Sequence, residues 1–259
     1  MSDHFDYMPK PEGWVPPEPK VIEDPEIEES VAAHEPVADA DAQDAPLQPE
    51  DSTLLEHIIT RCANVISWVF VPLLMPVYGI ILIFSLSFLS LAPFHSKLIF
   101  TLIVFGANFV VPLLLVLLLK KMGMIEDVGL NGRKERLIPY VITIVCLAGT
   151  AVFLYLKMAP IWVAMFYAGG AVAGLINLIV NFRWKISAHA AGIAGLVAML
   201  IQITKEGSAS DAMTWWIVVS IIVAGLLGSA RIWLGRHTLM QVLAGSAVGF
   251  LSVWTLSLI

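Results

Sequence analysis

The chain has 259 residues, of which 58% are hydrophobic and 14% charged, with a formal net charge of −6. That composition excludes an ordinary soluble domain, and an acidic balance without an aromatic-basic platform excludes a nucleic-acid binder. Cys62 and Cys146 lack the C-x-x-C or Cys/His spacing of a metal or disulfide framework, so both read as bystanders facing lipid or core.

Residues 1–51 hold 15 acidic residues against Lys10 and Lys20, with nine of the 15 prolines. Such a segment buries too little apolar surface to offset its ordering entropy, which predicts a disordered, acidic, proline-rich tail over 1–51. It has no basic region followed by an apolar run, so it does not read as a signal peptide, and its charge suits a protein partner. The remainder, 52–259, carries 13 basic and six acidic residues and reads as one transmembrane helical domain.

Thr53 to Arg61 opens this domain as an interfacial lead-in, with Leu54, Leu55, Ile58 and Ile59 at helical spacing beside Glu56, His57 and Arg61. Seven apolar segments follow, at about 64–92, 97–119, 138–157, 160–181, 188–204, 213–230 and 238–258, each of membrane-crossing length. The fold class is therefore all-α integral membrane, a multi-pass bundle of six to seven transmembrane helices. Trp162, Trp184, Trp215, Trp216 and Trp233 fall near segment ends, as an interfacial belt requires. Gly169, Gly170, Ala173 and Gly174, Ala191, Gly192 and Gly195, Gly225 and Gly228, and Ala244, Gly245 and Gly249 recur at close spacing and predict tight helix packing, not a wide pore. No segment combines a Gly/Pro-broken centre with a buried ion pair, which disfavours a transporter.

Seven crossings bring the loops after the second, fourth and sixth segments to one face, together with the tail. These loops hold Lys120, Lys121, Arg133, Lys134, Glu135 and Arg136, then Arg183, Lys185, Ser187 and His189, then Arg231, Arg236 and His237. Orientation alone explains much of this charge: ten Lys and Arg, Arg61 included, stand here against Lys97, Lys157 and Lys205 on the other face. That count places the loops on the cytoplasmic side, by expectation of a bacterial inner membrane. Orientation does not explain why His189 and His237 lie just inside two different helices beside Ser187 and Arg231. His57 and His95 lack comparable neighbours and read as structural, and His4 and His34 as solvated.

Arg231 and His237, six apart, and the sequence Ile186, Ser187, Ala188, His189 resemble two motifs of the type 2 phosphatidic acid phosphatase superfamily, S-R-x-x-x-x-x-H-x-x-x-D and P-S-G-H. A third family motif, K-x-x-x-x-x-x-R-P, has its counterpart around Arg136 and Pro139, where Gly129 occupies the lysine position and Arg133 or Lys134 can serve instead. The resemblance covers about residues 120–250. It implies a membrane-embedded, metal-independent hydrolase that removes phosphate from a lipid phosphate or pyrophosphate, with membrane lipids around it and no cofactor. His237 would form a phosphohistidine and His189 would act as acid and then base. Arg231, Ser187, Arg136, Arg133, Lys134 and Lys185 would bind phosphate.

Two departures from the family pattern stand out. Two apolar segments separate the first motif from the second, and Gln241 stands where the third motif has aspartate. A glutamine can orient the nucleophile but contributes no charge, and Glu135 is the first candidate for a substitute carboxylate. The alternative reading is a noncatalytic relative that binds an anionic lipid head group and scaffolds a membrane complex.

Overall fold

The fold is described from a computed structural model over residues 49–123, 137–208 and 211–258. Within these residues lie helices α1 (Pro49–Val69), α2 (Met75–Leu86), α3 (Phe94–Phe105), α4 (Val111–Lys121), α5 (Leu137–Leu156), α6 (Ile161–Asn181), α7 (Ala188–Ile203), α8 (Asp211–Trp233) and α9 (Leu239–Leu256). Seven stretches are long and apolar enough to cross a bilayer, from 18 residues at Leu239–Leu256 to 34 at Thr53–Leu86. Together they make an all-α integral membrane protein. The acidic tail and the loop carrying Arg133, Lys134, Glu135 and Arg136 lie outside the described residues.

The first two spans are interrupted helices. Pro72 opens a short 3-10 turn, Pro72–Leu74, between α1 and α2, because its ring fixes φ and it lacks an N–H to continue the α ladder. The elbow is held by the Tyr78 hydroxyl, which donates to the Val69 carbonyl at 2.8 Å, and by Phe70 and Tyr78 meeting edge to face at 6.1 Å. In the second span Pro112 follows a π turn, Gly106–Val110, where the Val111 N–H reaches back to the Gly106 carbonyl. The extra residue turns Asn108 into the protein, where its Nδ2 donates to the Val104 carbonyl at 3.1 Å and to Thr150 Oγ1 at 2.8 Å. This broken centre is bridged by a neutral hydrogen bond, not by an ion pair.

Helix α7 is the most enclosed span, flanked by α6, α8 and α9. Lipid tails are as apolar as leucine, so helices associate by close packing more than by escape from water, and small residues permit it. A Cβ on Gly249 would run into the Ala191 carbonyl oxygen, and one on Gly169 would lie 2.7 Å from Val253 Cα. Met75 packs on Gly192 in the same way, and the buried Tyr167 hydroxyl donates to the Pro76 carbonyl at 2.9 Å. Trp162 stands at the start of α6, near a segment end as expected, and is buried there against Phe88. One sequence expectation is corrected here. Gly225 has nothing within 4 Å of a Cβ, because it looks away from the bundle.

Candidate functional site

The ends of α8 and α9 fix the spacing of Arg231 and His237. Helix α8 closes in a Schellman turn: the Gly235 N–H bonds to the Ile232 carbonyl at 2.9 Å and the Arg236 N–H to the Arg231 carbonyl at 3.1 Å. Gly235 takes φ +63°, a conformation that favours glycine. The His237 N–H also reaches the Arg231 carbonyl, at 3.3 Å, so the two residues are tied through their backbones. Next comes Thr238, the N-cap of α9. Its hydroxyl accepts the Gln241 N–H at 3.4 Å, and Gln241 Oε1 accepts the Thr238 N–H at 3.3 Å, a reciprocal capping box.

Gln241 has a second task. Its Oε1 lies 3.1 Å from His237 Nδ1, in a site where the imidazole is 7% exposed. The Thr238 N–H can only be accepted by an oxygen, which fixes the orientation of the amide. The ring nitrogen facing that oxygen must therefore carry the proton. The Nδ1–H tautomer follows, with the in-plane lone pair on Nε2.

Ser187 is the N-cap of α7: its hydroxyl accepts the Ala190 N–H at 3.3 Å and the residue is fully buried. Its own N–H donates to the Gln241 carbonyl at 3.3 Å. Gly245, one turn further along α9, makes this approach possible, because any Cβ there would meet the Ser187 carbonyl oxygen. Ser187, Gln241, His237 and Arg231 thus form one continuous run of hydrogen bonds from the start of α7 to the end of α8. His189 is the second residue of α7, two positions after Ser187, and is half-buried, as are Lys185 and Arg231. Arg183 and Arg236 are exposed.

The structure therefore brings together Ser187, Gln241, His237 and Arg231, with His189 on the same helical end. Arg133, Lys134 and Arg136 lie outside the described residues, as does Glu135. Among the described residues, no group of three or more His, Cys, Asp or Glu side chains is placed to hold a metal ion. Sequence reasoning missed Thr238, although Thr-x-x-Gln ahead of an apolar run is a capping-box signature. It also missed the Trp233 indole, whose N–H donates to Thr60 Oγ1 at 3.1 Å and ties α1 to the end of α8. No spacing rule announces that pair.

Residues 180–259 match the family model of the PAP2 superfamily. Over this segment the chain is similar to the PAP2 superfamily. The match spans Ser187, His189, Arg231, His237 and Gln241 and leaves Arg133 to Arg136 outside it. The PAP2 superfamily points to hydrolysis of phosphate esters. Comparisons with curated proteins and with solved structures found no match.

Proposed function

We propose that the chain is a membrane-embedded phosphatase that removes phosphate from a lipid-borne phosphate or diphosphate through a phosphohistidine at His237. The observation that carries this reading is the unbroken run from Ser187 through Gln241 and His237 to Arg231, which unites two motifs on separate helices.

Each group has a task that follows from its setting. His237 Nε2 attacks phosphorus in line while Gln241 retains the Nδ1 proton. Arg231 neutralises the equatorial oxygens, whose charge is shared in a loose transition state. The N-terminal end of α7 turns its positive dipole end toward the same anion, with the Ser187 hydroxyl available as a donor. His189, starting protonated, gives its proton to the departing oxygen and then takes one from the water that cleaves the phosphohistidine. Lys185, two residues before Ser187, adds positive charge at the start of α7, and Arg133, Lys134 and Arg136, outside the described residues, are the further candidates for phosphate binding.

A lipid substrate is favoured by what lies beneath the site. Gly228 and Val242 bring α8 and α9 together one turn below it, where a Cβ on Gly228 would be 3.0 Å from Val242 Cγ1. Deeper still, a shallow, open apolar groove lies between α7, α8 and α9, lined by Val197, Ile221, Ala224, Phe250 and Leu251 among others, a surface against which a hydrocarbon chain can lie. The test is phosphate release by the detergent-purified protein from phosphatidate, prenyl phosphate and prenyl diphosphate, with His237→Ala as control. Release from at least one substrate, abolished in the variant, is expected; equal background from both proteins rejects the hydrolase.

A further inference from the structure

The acceptor that holds the His237 ring is an amide. Gln241 Oε1 takes both the Nδ1 proton and the Thr238 N–H, so it fixes the tautomer with two lone pairs in use and adds no negative charge. From this we infer that the site is built for phosphoanhydrides: it removes the terminal phosphate of a lipid diphosphate and leaves the lipid monophosphate as product. The inference rests on the reading of His237 as nucleophile.

The chemistry turns on how much positive charge the imidazole carries in the transition state. As Nε2 bonds to phosphorus the ring becomes cationic, and an ionised acceptor at Nδ1 would be roughly twice as effective as a neutral one. A monoester must expel an alkoxide, about as basic as hydroxide and so a poor leaving group. So poor a leaving group requires an advanced N–P bond, a substantial imidazolium charge and a proton from His189. A diphosphate expels a phosphate monoester whose second pKa is about 6. That group departs early and keeps its charge on its own oxygens, so the ring carries little charge and a neutral amide suffices.

The steps balance. The Nε2–P bond forms as the bond from the terminal phosphorus to the bridging oxygen breaks, and the electron pair leaves with the lipid monophosphate. Water then forms a P–O bond as P–N breaks, and its proton passes through His189 to solvent. The sum is lipid diphosphate plus water giving lipid monophosphate, inorganic phosphate and a proton.

The test compares farnesyl diphosphate with farnesyl monophosphate, which share one chain, in the wild type and in Gln241→Glu. Glutamate is isosteric and retains the Thr-x-x-Glu capping box, so the variant changes charge with little change in shape. In the wild type kcat/KM should favour the diphosphate by ~10²-fold or more, and release should stop after one phosphate per lipid. Gln241→Glu should raise the monophosphate rate by about 10²-fold and the diphosphate rate by less than about tenfold, collapsing the preference. Equal wild-type rates, or equal gains on both substrates, would overturn the inference and leave the hydrolase standing. No His237-dependent release from either substrate would remove the hydrolase reading, and the inference with it. Should the glutamate variant fail to fold, wild-type rates on alkyl and aryl monoesters serve instead. A steep rise as leaving-group pKa falls supports the inference, and a flat profile overturns it.

Discussion

Replacing Gly245 by alanine probes the closest backbone approach in the site. The new Cβ would stand 3.2 Å from the Ser187 carbonyl carbon and 3.4 Å from Ala190 Cβ, and nearest of all to the Ser187 carbonyl oxygen. Two of these three atoms are backbone, so no rotamer change relieves the overlap. Carbon contacts become favourable only near ~3.5 Å, so α7 and α9 must separate by on the order of 1 Å. Overpacking of this kind costs about 1–3 kcal/mol. The shift also falls on the bond from the Ser187 N–H to the Gln241 carbonyl, and misplacement by ~1 Å in a catalytic site costs on the order of 10²-fold in rate. Phosphate release and thermal unfolding in detergent would be measured together, with Gly225→Ala as the control. Gly225 faces open space, so that variant should keep its activity and gain up to about 1 kcal/mol of helix propensity. A Gly245→Ala protein that turns over within about threefold of wild type would refute the claim that this contact sets the site geometry.

Two further variants separate stability from chemistry. Thr150→Val removes one of the two acceptors of Asn108 in the second span and should cost about 0.6–1.7 kcal/mol of stability with unchanged kcat. Unchanged unfolding, or lost activity, would contradict a purely structural bridge. Trp233→Phe removes the donor to Thr60 and should loosen α1 by about 1 kcal/mol, read as faster amide exchange over residues 53–69. Exchange confined to other segments would show that α1 is held by something else.

The crossings were legible because an apolar run of about 20 residues has few alternatives to a spanning helix. All seven segments correspond to helical stretches, and the spacing of Arg231 and His237 led to the family that the 180–259 match supports. What stayed hidden was local backbone geometry. Pro72 and Pro112 both sit in apolar runs, and composition does not distinguish a proline that opens an elbow from one absorbed by a π turn. The small residues of α9 announced tight packing, but not that Gly245 would face Ser187 and so join one motif to the other. The double use of Gln241, as capping residue and as partner of His237, depends on which of its atoms meets which donor. Only three-dimensional placement supplies that.

Whether His237 accepts the phosphoryl group can be measured most directly by trapping it. The protein would be quenched within milliseconds of mixing with a lipid diphosphate labelled in its terminal phosphate, then digested and mapped. The expected result is an acid-labile, base-stable label on the peptide containing His237, absent in His237→Ala and accumulating in His189→Ala, where release of the bound phosphate is slowed. Turnover without any label on the protein, or with label on another residue, would contradict it.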